Sequence, residues 1–94
     1  MSVIDINHKH DLSLEQAQAV ADELAADLAR EFSIEYGWDE EVLYFERPGV
    51  HGQIDVDDQN IRIQARLNFL LLALKGRIEA EIEQVLSHHF SQPV

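Results

Sequence analysis

The sequence contains no cysteine among its 94 residues. This absence excludes a disulfide, a thiolate nucleophile and a zinc site built on sulfur ligands. The longest uninterrupted apolar run, Phe69 to Leu74, has six residues, whereas a helix needs about 20 to span a membrane. The first eleven residues lack a basic start followed by an apolar stretch, so we expect no secretory signal. We therefore expect a cytoplasmic protein without a membrane span.

Basic residues are scarce, with seven Lys and Arg against 18 Asp and Glu, and the formal net charge is −11. Repulsion from nucleic-acid phosphates and anionic lipids then argues against a nucleic-acid partner. No acidic residue lies between Gln59 and Ile78. Four basic residues lie in that stretch: Arg62, Arg66, Lys75 and Arg77. We expect these cations to pair with the acidic helices; the alternative is a locally basic surface on an acidic molecule.

The length predicts one small domain over residues 1–94. A hydrophobic fraction of 46% is ordinary for a folded globule and too high for a disordered chain. Chains of this size bury roughly 60–65% of their unfolded surface, so the core is modest. A homodimer is a common way for small domains to bury more surface, and it remains open here.

Two segments have the three-to-four residue spacing of amphipathic helices. Ser13 and Gln16 form a capping-box pattern, with Leu12 as a hydrophobic staple. The first apolar stripe follows: Leu14, Ala17, Val20, Ala21, Leu24, Leu28 and Phe32. The second comprises Leu74, Ile78, Ile82, Val85 and Leu86. Because Gly76 costs a helix about 1 kcal/mol relative to Ala, we expect regular helix from residues 75–77 onward.

Five segments alternate with the period of two that is typical of strands. They are Ser2–His8, Ser33–Trp38, Val42–Arg47, Val50–Val56 and Ile61–Phe69. Turn residues such as Pro48-Gly49 join four of them closely, which indicates an antiparallel meander, and the first is short enough for an edge strand. The resulting order, β-α-β-β-β-β-α, predicts an α+β fold in which two helices pack on one face of an antiparallel sheet.

Histidines and carboxylates offer few candidates for chemistry. His8 and His10 would share one side of a strand and form a metal pair, although a solvated strand end explains them as well. His88 and His89 point about 100° apart on a helix and cannot both face one ion. A hairpin brings His51 toward Glu46, the minimum for acid-base work, but no nucleophile stands at a recognisable spacing. We therefore expect no catalytic residue, no metal site and no cofactor.

Aromatic residues cluster on two predicted strands. Tyr36, Trp38, Tyr44 and Phe45 have two interpretations: packing against helices, which we favour, or a ligand-stacking patch. On the second interpretation, Tyr36, Trp38 and His51 would line a pocket between sheet and helices.

The connection between the last strand and the last helix is more apolar than a connection needs. It contains Phe69, Leu70, Leu71 and Leu72 between the cations Arg66, Lys75 and Arg77. Either these residues form a buried first helical turn, or they make an exposed apolar patch with a cationic rim, which would be a docking face.

Several motifs together resemble a known family. They are His10-Asp11-Leu12-Ser13 before an Ala/Leu helix, Trp38-Asp39, Leu43-Tyr44-Phe45-Glu46-Arg47, Gly49-Val50 with Gly52, Phe69-Leu70-Leu71, Leu74-Lys75-Gly76, Ile78-Glu79 and Ile82. Nearly the whole chain is similar to the small bacterial proteins of the polyhydroxyalkanoic acid system, or granule-region, family. The resemblance implies a role near intracellular polyester granules, and it carries no catalytic residue with it.

Two functions follow as hypotheses. The first is a non-catalytic interaction protein that binds a polyhydroxyalkanoate granule surface or a granule-associated protein. The second is a small-molecule binder for hydroxyacids or acyl groups, or a weak hydrolase, with a pocket between sheet and helices. A homodimer is compatible with both.

Overall fold

Five antiparallel strands and two helices follow one another in the order β-α-β-β-β-β-α, as predicted. A computed structural model describes residues 2–90, apart from the side chains of Ser2, Leu70 and Phe90. The strands are β1 (Ser2–Lys9), β2 (Glu35–Asp39), β3 (Val42–Arg47), β4 (Val50–Val56) and β5 (Asn60–Leu67). The helices are α1 (Leu14–Phe32) and α2 (Leu72–Phe90), and a short 3-10 turn (Phe69–Leu71) precedes α2.

The sheet has the strand order β1-β5-β4-β3-β2, so β1 and β2 are its edges. Helix α1 carries the chain from one edge to the other, and the meander then returns until β5 pairs with β1. Both helices pack on one face of the sheet and contact each other there. The prediction of an α+β fold with two helices on one face of the sheet is confirmed.

Side chains from alternate strand positions and the helix stripes form the core. On the sheet side, Ile4, Leu43, Ile54 and Ile63 are fully buried. On α1 the alanines Ala17, Ala21 and Ala25 are also fully buried. Their small side chains let the helix axis approach the sheet closely. The opposite side of the sheet, which no helix covers, is called the open face below.

Helix α1 begins with the capping box that its sequence predicts. The backbone N–H of Gln16 donates to Ser13 Oγ and the backbone N–H of Ser13 donates to Gln16 Oε1, both at 3.1 Å. Leu12 packs against the core as the staple requires. At the other end, Ser33 takes a left-handed conformation with φ of 57° and ends the helix.

Several predicted boundaries are wrong. Strand β1 ends at Lys9 rather than His8, β2 spans Glu35–Asp39 rather than Ser33–Trp38, and β5 begins at Asn60 rather than Ile61. Strand β5 ends at Leu67 rather than at Phe69, because after the Val50–Leu67 pair the chain enters the 3-10 turn that begins at Phe69. Helix α2 begins at Leu72, before Gly76, rather than near residues 75–77. A single glycine costs about 1 kcal/mol, and packing of the following apolar stripe outweighs that cost.

Candidate functional site

The charges of the molecule separate toward opposite ends of the sheet. The end formed by the β2–β3 and β4–β5 turns and the β1–α1 loop carries Asp11, Asp39, Glu40, Glu41, Asp57 and Asp58. At the other end, the last residues of α1 and β5 meet the β3–β4 turn, the 3-10 turn and the start of α2. Five cations belong to these elements: Arg30, which pairs with Asp27 on α1, and Arg47, Arg66, Lys75 and Arg77. This second end is called the basic end.

The β3–β4 turn fixes the 3-10 turn at the basic end. The N–H of Asn68 donates to the Gly49 carbonyl at 3.0 Å, and the N–H of Leu71 donates to the Asn68 carbonyl at 3.1 Å. Gly49 has φ of +92°, which favours glycine. A Cβ at Gly49 would stand 2.7 Å from Leu71 Cδ1, so Leu71 occupies the space that a side chain would need.

Because Leu71 packs against Gly49, Phe69 and Leu72 point outward. Phe69 is 74% exposed and Leu72 is 44% exposed, whereas Leu71 and Leu74 are partly buried against the core. Residues three apart in a helical turn lie on the same side. Phe69 and Leu72 therefore form one exposed patch, called the apolar patch. The side chain of Leu70 lies outside the described part of the chain.

Cations flank this patch in the sequence, but they do not pair with acidic helices as predicted. Among residues 2–90, Arg66, Lys75 and Arg77 form no ion pair, and Arg62 pairs with Asp5 on strand β1. The bidentate hydrogen bonds from Arg62, at 2.9 and 3.1 Å, lower the pKa of Asp5. The prediction fails because Arg62 and Arg66 extend from the open face, on the side of the sheet opposite to the helices.

Two arginines anchor the C-terminal end of α1 at the basic end. Arg47 donates from Nη1 to the Phe32 carbonyl at 2.8 Å, which satisfies a free helix carbonyl. The guanidinium carbon of Arg77 lies 5.4 Å from the centroid of the Phe32 ring, a cation–π distance. The N-terminus of α2, the positive end of its dipole, also begins here at Leu72. The basic end thus combines an apolar patch with positive charge.

On the open face, one cleft of about 390 Å³ contains a histidine–carboxylate pair. His51 Nδ1 lies 3.2 Å from Glu46 Oε2, across the β3–β4 hairpin as the sequence predicts. Glu35 lies opposite Glu46 on β2, and Tyr36 also lines this cleft. The side chains of His51 and Glu46 are 72% and 67% exposed, so water screens the charge of the pair.

Three of the four strand aromatics are more exposed than predicted. Phe45 is buried, but Tyr36, Trp38 and Tyr44 are 39%, 37% and 47% exposed. Tyr36 and Trp38 lie on edge strand β2, and the register places Tyr44 on the open face. Trp38 donates from Nε1 to Asp22 Oδ1 at 3.1 Å and lines a second cleft, beside α1. Tyr36 and His51 therefore share a cleft, and Trp38 lies outside it.

His10 has a structural role. Its Nδ1 accepts the Leu12 N–H at 3.1 Å, so Nε2 carries the proton and donates to the Asp57 carbonyl at 2.8 Å. Both ring nitrogens are thus occupied between the β1–α1 loop and the β4–β5 turn. At the end of α2, His89 contacts Glu23 at 2.7 Å and lowers the pKa of that carboxylate. Within residues 2–90, no three histidines or carboxylates converge as a metal site would require.

The sequence interpretation missed the residues that orient the apolar patch. Gly49 and Asn68 lie 19 positions apart in the sequence, and only the β4–β5 register brings them together. The Pro48-Gly49 pair indicates a turn, which is the available signal. The sequence pattern places Arg47 at the end of a strand. Nothing local in the sequence indicates that its side chain reaches the last carbonyl of α1.

Comparison with known proteins identifies a family. The family model described as polyhydroxyalkanoic acid system protein matches residues 4–90. No curated protein and no solved structure gives a significant match. Across the described residues, neither helix combines the length and apolar character that crossing a bilayer requires.

Proposed function

This chain belongs to the family of polyhydroxyalkanoic acid system proteins, and we propose that it is a non-catalytic accessory protein that binds the surface of polyhydroxyalkanoate granules through its basic end. The observation that carries the proposal is the exposed Phe69 side chain, which the fold holds outward beside Leu72.

Exposure of Phe69 is unusual in this molecule. Neighbouring Leu67 is fully buried, while Phe69 is 74% exposed. Leaving a phenyl ring in water forgoes about 1.5–3 kcal/mol of burial energy. The hydrogen bonds of Asn68 and the packing of Leu71 against Gly49 hold the backbone of this turn. The outward position of Phe69 is therefore a feature of the fold. Because the backbone of this turn is already ordered, docking through Phe69 costs little further backbone entropy.

The chemistry of the basic end suits a polyester surface. Such a polymer presents alkyl groups, which Phe69 and Leu72 would contact, and ester carbonyls, which accept hydrogen bonds. Lys75 and Arg77 supply donors on the first turns of α2. The acidic opposite end, with Asp57 and Asp58 in its β4–β5 turn, would face the solvent and keep coated granules apart by repulsion.

The proposal is tested by co-sedimentation with washed native granules and with polyester particles stripped of protein, at low and high salt. Direct docking predicts binding to both kinds of particle that largely survives high salt. Binding only to native granules would indicate a granule-associated protein as the partner instead. Binding to neither would refute the granule proposal.

A second candidate function is supported by the His51–Glu46 pair in its cleft. Tyr36 also lines this cleft, whose volume is within the roughly 300–1,000 Å³ typical of ligand pockets. A hydroxyacid or acyl ligand would contact His51 there, and weak hydrolysis would need this pair as its base. A saturable shift of the His51 ring signals in NMR with hydroxyacids or short oligoesters would support it; unchanged signals would reject it.

A further inference from the structure

The open face of the sheet has no covering layer in the described part of the chain. Both helices lie on the other side, and side chains of all five strands point from this face toward solvent. Val3 is 53% exposed and Tyr44 is 47% exposed on it. An antiparallel sheet with one wet face is common, so exposure alone does not identify a partner.

The size of this face matches that of a protein interface. Five strands spaced about 4.8 Å apart and five to eight residues long give a face about 24 Å by 20 Å. The projected area is about 500 Å² before side-chain relief is counted. That is of the same order as the ~800 Å² of accessible surface that each partner contributes to a standard interface.

On the open face, Asp5 on β1 pairs with Arg62, and Asp55 lies on the central strand β4. The other charges of this face divide by strand. Arg62 and Arg66 lie on β5, next to one edge strand. Glu46 lies on β3 and Glu35 on β2, toward the other edge. Strand β4 lies at the centre of the sheet order, between the positive and the negative halves. Arg66 forms no ion pair within the described residues, so its charge is available to a partner.

This division makes the face complementary to itself under one symmetry only. A twofold axis parallel to the strands, centred on β4, places β5 of one copy over β3 of the other, so that Arg66 faces Glu46 of the second copy. A twofold axis across the strands would place β5 over β5 and oppose positive charges. Closed twofold dimers are the commonest oligomers, and complementary charge sets their register.

We infer that a second copy of this chain covers the open face, through a twofold axis parallel to the strands. The two sheets then form the inner layers of a helix–sheet–sheet–helix dimer. Rotation about this axis preserves direction along the strands, so both basic ends point the same way. Both apolar patches, Phe69 and Leu72 of each copy, can then contact one surface, and two linked contacts bind more tightly than one.

The test is the association constant from sedimentation equilibrium of three proteins: the natural chain, Arg66→Glu and Glu46→Arg. We expect the natural chain to dimerise and each single charge reversal to weaken the dimer about tenfold or more. An equimolar mixture of the two variants should restore association, because positions 66 and 46 then carry opposite charges wherever they meet in the mixed dimer. Circular dichroism confirms that both variants fold.

A second measurement avoids charge reversal. Because the chain has no cysteine, Gln53→Cys puts a single thiol on β4 near the proposed axis. A bis-maleimide that spans the ~10 Å between packed sheets should crosslink it, while Gln18→Cys on α1 should stay monomeric. The inference is overturned if the natural chain is monomeric at about 100 µM. It is also overturned if the charge variants dimerise as strongly as the natural chain, or if their mixture stays monomeric. Granule binding enters neither measurement, so this inference and the docking proposal can fail separately.

Discussion

Leu71 occupies the space beside Gly49: a Cβ at Gly49 would stand 2.7 Å from Leu71 Cδ1. The contact joins the β3–β4 turn to the 3-10 turn before α2. It buries one leucine of the apolar connection and thereby leaves Phe69 and Leu72 on the outside. The geometry of the apolar patch therefore depends on a glycine 20 residues upstream of Phe69 in the sequence.

Gly49→Ala should destabilise the protein. The added methyl group would clash with Leu71, and φ of +92° disfavours any L side chain. We expect a loss of about 1–3 kcal/mol in the free energy of unfolding, read from urea denaturation. Gly76→Ala is the matched control, since nothing lies within 4 Å of its Cβ position; it should stabilise α2 by up to about 1 kcal/mol. If both substitutions changed the free energy of unfolding equally, the packing of Leu71 against Gly49 would be wrong.

His10→Ala should also destabilise the fold. The substitution leaves the Leu12 N–H and the Asp57 carbonyl without the partners that the imidazole provides. Unsatisfied buried groups cost about 1–3 kcal/mol, which thermal unfolding should show as a clearly lower Tm. Lys9→Ala, at an exposed neighbouring position, is the control and should change little. If His10→Ala unfolds at the same temperature as this control, the structural role of the ring is wrong.

Asp57 should contribute to the acid sensitivity of the protein. Backbone N–H groups of Gln59 and Asn60 hold its pKa below the ordinary value of 3.8. The folded state thus favours the ionised form, which stabilises the fold above the ordinary pKa and is lost as pH falls through the lowered pKa.

Asp57→Asn keeps an oxygen acceptor for the turn but cannot titrate. Its Tm should therefore fall less steeply than that of the natural chain between about pH 5 and about pH 2. Asp58→Asn serves as the control, because no hydrogen bond joins Asp58 to the turn backbone in the described residues. Parallel Tm curves for Asp57→Asn and the natural chain would refute the assignment.

The sequence predicts strands β3 and β4 with their observed bounds. There, alternation of apolar residues and the Pro48-Gly49 turn signal agree. The predicted end of β5 is wrong, because Phe69 continues the alternation after Leu67 although the 3-10 turn begins there. The predicted start of α2 is wrong because the local cost of Gly76 is small beside tertiary packing.

The exposed residues are harder to predict than the buried ones. Phe45 and Tyr44 are neighbours with similar propensities, yet one faces the core and the other the open face. Trp38 continues the apolar side of β2, but an edge strand is only partly covered by α1. In the apolar connection, composition alone does not predict which side chains are buried. In the structure Leu71 is partly buried, while Phe69 and Leu72 are exposed.

Binding of protein-free polyester particles by Phe69→Ser/Leu72→Ser tests the docking account most directly. Both side chains are exposed, so the free energy of unfolding should change by less than about 1 kcal/mol. Tyr36→Ser, which removes an exposed aromatic from edge strand β2, is the matched control. If the apolar patch docks on polyester, the double variant loses sedimentation with the particles while Tyr36→Ser retains it. A folded double variant that binds as well as the natural chain would show that the apolar patch is not the docking surface.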